Sequence, residues 1–421
     1  MEGFFTKKET ASKSRPDGKS YTCAACGLYK DCVHPRIKPY GNFKKKILNI
    51  GEAPGEYEDL KGRPWQGKTG ALLKQTYAKL GIDLFDDCLN INAVLCRPTT
   101  KDGDNRAPTN FEAECCRKSI LKLVSEYKPK IIVLFGNLAV FSLIGHRWKK
   151  DLGGIMKWRG WQIPDQDFNA WICPTFHPSY VHRAKSNPYN FDGITAEETI
   201  WVQDLRQAIE CLKTPFPVYK EPLIKIIKNL SFLDKIRWKL KGKKVAFDYE
   251  TTGLKPHAFG HKIVCCSIAI SANKVYVFMM PQKRVNQQPF IDFLEDESIS
   301  KIAANMKFED NWSAVRLKTE VKGWLHDTMQ ATHIFDNRQG ITGLKFQTYV
   351  QFGVVDYASE VAPYLESVDS KNGNSLNKIM DLVKKPGGKE LLMKYCAYDS
   401  INEFRLGEKQ MFVMEEAQLP F

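Results

Sequence analysis

Asp248 and Glu250 stand two residues apart in Val245-Ala-Phe-Asp-Tyr-Glu-Thr-Thr-Gly-Leu254. Val245-Ala-Phe reads as a short buried strand, and Thr251-Thr-Gly supplies the turn that ends it. Side chains at i and i+2 share one face of a strand, so both carboxylates point the same way. Paired acids repel, and burial raises at least one pKa unless a cation lies between them. Magnesium and manganese, which take oxygen ligands, are the cations this spacing suits. The bland alternative is a solvated strand edge.

Two later segments add to this pair. Asn305-Met-Lys-Phe-Glu-Asp-Asn-Trp312 follows the apolar Ile302-Ala-Ala and is predicted to turn into a helix. Tyr395-Cys-Ala-Tyr-Asp399 lies in a helical pattern whose i,i+4 spacing presents Tyr395 and Asp399 together. A separate set of residues carries thiol chemistry. Of twelve cysteines, Cys23 and Cys26 form a Cys-x-x-Cys pair, and Cys96 and Cys116 stand further along, with Cys115 and Cys32 as substitutes. Four thiolates suit either one zinc ion or an iron–sulfur cluster. Cys265, Cys266 and Cys396 lie in apolar runs and read as packing residues, and Cys88, Cys173 and Cys211 carry no spacing signal.

The elements that must position these groups follow from the patterning. Ile47-Leu-Asn-Ile50 reads as a buried strand entering Gly51-Glu-Ala-Pro-Gly55. Glu58 to Gly67 reads as a loop, Gly70-Ala-Leu-Leu73 as the opening of a helix, and Lys130 to Gly136 as a core strand. Leu223 to Lys228 alternates like a strand, Leu233 to Leu240 reads as a helix, and a last helix is predicted over Ile401 to about Glu416.

Asp-x-Glu, Asn-x-x-x-acid and Tyr-x-x-x-Asp, in that order, resemble the proofreading 3′→5′ exonuclease domain of family A DNA polymerases. His326-Asp-Thr-Met-Gln-Ala331 and Gly343-Leu-Lys345 are similar to connecting segments of that family. The resemblance implies that Asp248, Glu250, Glu309 and Asp399 hold two Mg²⁺ or Mn²⁺ ions and that Tyr395 orients the attacking water. It also implies that Leu254 wedges the terminal base pair and that Asn305 contacts the strand end. The family has Asp where this chain has Glu309, with Asp310 beside it; the longer acid keeps the charge one methylene further out. Such a site hydrolyses a phosphodiester by in-line attack, with two cations roughly 3.5–4 Å apart stabilising the incoming and departing oxygens.

The first half resembles the family 4 uracil-DNA glycosylases through Gly51-Glu-Ala-Pro-Gly55, Asn92-Ala-Val-Leu-Cys-Arg-Pro98, Asn105 to Glu112 and His177-Pro-Ser-Tyr-Val-His-Arg183. It implies a 4Fe–4S cluster on Cys23, Cys26, Cys96 and Cys116, with zinc as the alternative. It further implies that Asn92 reads the uracil edge, that Trp65 stacks where the family has Phe, that Glu52 activates water and that His177 stabilises the departing base. His182 and Arg183 are assigned to backbone contact. A flipped base needs such a pocket. No Arg-Arg-Ile-His insertion follows Cys96, so covalent capture of the base is not expected.

Both halves are expected to be α/β: a uracil-DNA glycosylase-like α/β/α sandwich over 21–212 and a ribonuclease H-like (DnaQ-type) fold over 223–421. A tail at 1–20 and a Pro-rich linker at 213–222 complete the chain. Together they resemble the N-terminal half of certain bacteriophage family A DNA polymerases without the polymerase domain. A truncated chain, a split gene with a separate polymerase polypeptide, and a free-standing repair nuclease all fit. So does a different class, a non-catalytic DNA-binding or uracil-sensing accessory module whose cluster is structural.

With 43% apolar and 26% charged residues the chain reads as an ordinary globular protein. Its net charge of +14 favours a polyanion such as single-stranded DNA 3′ ends, uracil-containing DNA included. No apolar run is long enough to span a membrane, and no signal peptide is read in the first twenty residues. The expected location is at DNA in the cytoplasm of an infected bacterial host cell. Phe4-Phe5 and Gln418-Leu-Pro-Phe421 faintly resemble sliding-clamp-binding peptides, with unrelated tail residues the plainer account.

Overall fold

The computed structural model describes residues 21–148, 151–185, 194–355 and 357–417. The tail at 1–20 and the clamp-like peptides at both ends lie outside them. The chain divides into two compact units, one holding residues up to Tyr219 together with Tyr349–Val355, the other Lys220–Thr348 and the residues after 356.

The first unit is built on a five-stranded sheet of order β2-β1-β3-β5-β4. Its strands are β1 (Ile47–Gly51), β2 (Cys88–Asn92), β3 (Ile131–Phe135), β4 (Ile163–Asp165) and β5 (Ala170–Thr175). All neighbours are parallel except β4, which runs antiparallel to β5. Parallel strands covered on both faces read as continuous apolar runs. Ile131 to Phe135 is such a run, buried at every position. Ile47, Val133 and Phe135 share a core with Trp201 and Leu205 of the Ala196–Glu210 helix.

The second unit holds a six-stranded mixed sheet of order β11-β10-β7-β8-β9-β6. Its strands are β6 (Leu223–Ile226), β7 (Lys244–Thr251), β8 (Ile263–Ser271), β9 (Lys274–Met279), β10 (Ser300–Ala303) and β11 (Trp324–Asp327). β7, β8 and β9 form an antiparallel meander, while β10 and β11 continue the sheet in parallel from β7, and β6 pairs in parallel with β9. Phe247 and Tyr249 point into one apolar layer with Phe290, Phe293 and Trp312. The opposite face of β7 carries Asp248 and Glu250. Against β7, β8 and β9 packs the Gly388–Glu416 helix.

Two sequence expectations need correction. The stretch from Glu58 to Gly67 is not all loop, because Glu56–Lys61 is helical. Gly55 opens it, Glu58 reaches back to the Gly55 amide at 2.7 Å, three acids stand in its first turn, and Gly62 in the left-handed region ends it. The last helix does not begin near Ile401: it runs unbroken from Gly388 to Glu416, so Tyr395, Asp399 and the residues on to Glu416 share one element.

Candidate active sites

In the second unit, β7 delivers Asp248 and Glu250 side by side. The Gly388–Glu416 helix brings Cys396 against them, and the three ligand atoms lie within 4.8 Å of one another. Cys396, read as a packing residue, is fully buried, yet its thiol faces both the main-chain oxygen of Asp248 at 3.6 Å and Oδ2 at 3.7 Å. Ser267, opposite Asp248 on β8, donates to the Cys396 carbonyl at 2.7 Å and fixes the helix on the sheet. Burial pushes Asp248 and Glu250 well above the usual carboxylate range; Asp399 adds to this for Asp248, and Asp248 and then Asp399 for Glu250.

Glu309 sits on the Met306–Trp312 helix and is 2% exposed, its Oε2 without a partner among the described residues. Burial and then Asp248 raise its pKa. Asp310 beside it is half-exposed. Ser313 donates to the Glu309 carbonyl at 2.7 Å and meets the Tyr249 hydroxyl at 2.8 Å, tying this helix to β7. Asn305 precedes the helix in the left-handed region, φ 67°. Its amide and that of Met306 both donate to Asp327 at 3.0 Å.

Asp399 accepts a 2.6 Å hydrogen bond from Tyr357 and an ion pair from Lys345. The Lys345 ammonium also lies 4.2 Å over the Tyr395 ring. Tyr395 is buried beside Asp399 and Glu250, whose charges add to burial in raising its pKa. Leu254 stands exposed just past the end of β7. Lys345 lies in a segment singled out from sequence without a role, whereas Tyr357 and Glu403, a further buried acid, carried no sequence signal at all.

In the first unit, Gly51 and Asn92 end adjacent strands in register. Glu52 follows one and His177 follows β5, so these groups gather at the carboxyl ends of parallel strands, where open α/β sheets bind ligands. A Cβ on Gly51 would lie 2.3 Å from Asn92 Oδ1 and 3.0 Å from the Trp65 ring. Only glycine lets Asn92 and Trp65 meet there. Trp65 stacks on His177 with centroids 5.7 Å apart, and its amide, at φ 60°, donates to Glu58. Asn92 Nδ2 and Trp65 Nε1 are buried without partners among the described residues. Buried donors left unpaired are costly, and an incoming polar ring edge would satisfy the amide.

The Ser179 amide donates to His177 Nδ1 at 3.2 Å, so neutral His177 carries its proton on Nε2 as a donor. Burial, with Arg183 second, lowers its pKa to about 4. Burial raises that of Glu52, against the opposing charge of exposed Arg183.

The thiols form a separate group. Cys23–Cys26 is a single helical turn capped by Thr22 and closed by left-handed Gly27. Cys116 lies on the Asn110–Tyr127 helix, and its ionisation is opposed by burial and then by Cys26, Cys96 and Cys23. The Arg36 amide donates to Cys96 Sγ at 3.3 Å. Cys96 opposes ionisation of Cys32, and Cys26 that of Cys115, in each case after burial. Among the described residues no three of these sulfurs fall within 4.8 Å of one another.

Fold and sites define a two-part DNA-processing protein, with a base-pocket unit and a carboxylate nuclease unit. Residues 38–203 match the uracil DNA glycosylase superfamily, and residues 224–401 match the 3′-5′ exonuclease family. The type-4 uracil-DNA glycosylase of Thermotoga maritima is 34% identical over 168 residues, covering 39% of this chain and 80% of the relative. Through this region the chain belongs to the type-4 uracil-DNA glycosylase family, and its second region is a hydrolytic 3′-5′ exonuclease domain. The DNA polymerase of Bacillus phage SP01 is 24% identical over 418 residues, 90% of this chain but 41% of the relative. Escherichia coli RNase D, a solved structure, aligns at 14% identity and TM-score 0.34 over 47% of this chain and 46% of its own.

Proposed function

We propose that this protein trims 3′ ends of DNA with divalent ions held by Asp248, Glu250, Glu309 and Asp399, and that its first unit recognises and excises uracil. One observation supports the nuclease reading: Asp248 and Glu250 of β7 lie side by side against buried Cys396 of the helix that carries Asp399, which pairs with Lys345. Such a set fits hard cations, which supply the positive charge that phosphodiester attack requires. Tyr395 lies beside Asp399 and Glu250, where its hydroxyl orients a water. Asn305 and exposed Leu254 flank the strand end, and the boundaries 21–212, 213–222 and 223–421 are assigned to glycosylase, linker and nuclease.

Excision is favoured over mere sensing by the unpartnered Asn92 amide and by the donor tautomer of His177, both prepared for a pyrimidine edge. Glu52 activates water and Trp65 stacks on the base. Cys23, Cys26, Cys96 and Cys116 are assigned a 4Fe–4S cluster. Four thiolates would also hold a single zinc ion, which is the alternative. The Arg36 amide on Cys96 Sγ suits a cluster, since such bonds tune it. The protein would act on DNA in an infected bacterial cell, alongside a polymerase polypeptide.

The test is Mg²⁺- or Mn²⁺-dependent shortening of a 5′-labelled single strand, lost in Asp248→Ala/Glu250→Ala. Uracil release from single strands, abolished by Asn92→Ala, tests the first unit; binding without release would leave it a sensor. About four irons per chain, with brown colour, test the cluster.

A further inference from the structure

Hard-cation chemistry at β7 uses Asp248 and Glu250 and leaves out the third member of the group, the Cys396 thiol, whose sulfur lies within 4.8 Å of both acids' ligand atoms. Packing fixes that sulfur. Ser267 on β8 donates to the Cys396 carbonyl at 2.7 Å, and its hydroxyl oxygen lies 3.3 Å from the thiol. The sulfur also stands 3.6 Å from the Asp248 carbonyl oxygen and 3.7 Å from Asp248 Oδ2. Its single hydrogen can serve only one of these three oxygens.

Glu250 gives a second, independent sign of a ligand. It is 7% exposed, and its carboxylate makes no hydrogen bond and no ion pair among the described residues. A buried carboxylate without a partner is costly unless a cation meets it. Asp399, three residues further along the helix, is by contrast engaged by Tyr357 and Lys345. A tetrahedral zinc ion, with bonds of about 2.3 Å to sulfur and about 2.1 Å to oxygen, holds those two atoms about 3.6 Å apart. The 3.7 Å between Cys396 Sγ and Asp248 Oδ2 matches that span, so one ion bridges them with the helix in place.

We propose that Cys396, Asp248 and Glu250 form a zinc site within the nuclease centre, distinct from the thiol group of the first unit. This rests on the metal-site reading above. The thiol proton leaves to solvent as the ion binds. Mg²⁺ and Mn²⁺ use the oxygens alone, whereas Zn²⁺ recruits the sulfur as well and takes their place. Cys396 thus sets which class of ion the two acids prefer.

Electron paramagnetic resonance of free Mn²⁺ reads this in the full chain without DNA. Mn²⁺ is bound first, and chelator-buffered Zn²⁺ is then raised until half of it is released. Buffering keeps the other thiols out of the comparison. In Cys396→Ser the free Zn²⁺ needed, relative to that variant's own Mn²⁺ affinity, is expected to rise roughly tenfold or more. An unchanged ratio overturns the proposal and leaves the thiol a hydrogen-bond donor to Asp248, with the metal site standing. Mn²⁺ binding by Asp248→Ala as tight as in wild type overturns the metal site itself and the proposal with it. Where the serine variant does not fold, Cys396→Ala carries the same comparison: a raised ratio upholds the zinc site and an unchanged one overturns it.

Discussion

Lys345 pairs with Asp399 while its ammonium lies over the rings of Tyr395 and Tyr357, at 4.2 and 4.5 Å. A charged donor thus sits on a proposed metal ligand. Lys345→Met removes a cation that competes with the ion, so Mn²⁺ affinity is expected to rise several-fold. The metal-free protein should lose about 1–2 kcal/mol, since the lysine is about a third exposed and its pairing is partly screened. Denaturant titration with and without Mg²⁺ measures both, and weaker ion binding in the variant would refute the competition.

Glu309 and Asp310 are adjacent acids with opposite environments. Glu309→Gln is expected to slow strand shortening on the order of 100-fold, the scale of losing one group that stabilises developing charge. Asp310→Asn should leave the rate within about threefold. The reverse order would move the ligand to Asp310.

Gly51→Ala drives a methyl into Asn92 and Trp65. Overpacking of this kind costs about 1–3 kcal/mol, and uracil recognition should fall at least as far as in Asn92→Ala. Gly55→Ala is the control: its Cβ meets nothing nearer than Glu58 Oε2 at 3.7 Å, so only about 1 kcal/mol of capping is lost. Equal effects on uracil binding would mean that the contact at Gly51 is not what shapes the pocket.

His177 gives a pH signature. Its folded pKa of about 4 lies below the ordinary value of 6.5, so the unfolded chain binds the extra proton first. Its contribution to stability is complete above pH 6.5 and is lost as pH falls from 6.5 toward 4. The raised pKa of Glu52 works in the opposite sense, because the folded state then takes up the proton more readily. The difference between wild type and His177→Gln isolates the histidine: the variant's unfolding free energy should fall less steeply over that window, by up to about 1.4 kcal/mol per pH unit.

Much of this was legible wherever function depends on neighbours in sequence. Asp248 and Glu250 share a face because strands alternate, and Tyr395 and Asp399 because helices turn; both relations follow from spacing. Glu403 extends the same helical face, yet that it is buried follows only from the fold around it. Cys396 misled for the same reason: an apolar setting signals burial, and burial here means proximity to Asp248. Tyr357 reaches Asp399 only through the fold. The helix at Glu56–Lys61 escaped because its glycine-flanked sequence reads as turn chemistry, while its start is secured by one hydrogen bond from the Gly55 amide to the Glu58 carboxylate.

Asp327 accepts from four backbone amides at once: Asn305 and Met306 at 3.0 Å, Met329 at 2.9 Å and Gln330 at 3.1 Å. It therefore fastens the start of the helix carrying Glu309 and that of Thr328–Phe335 with a single side chain. Neither helix can fray at its first turn without disturbing the other. In hydrogen–deuterium exchange these four amides would open as one kinetic unit, and the wall that carries Glu309 would loosen in a single step rather than residue by residue.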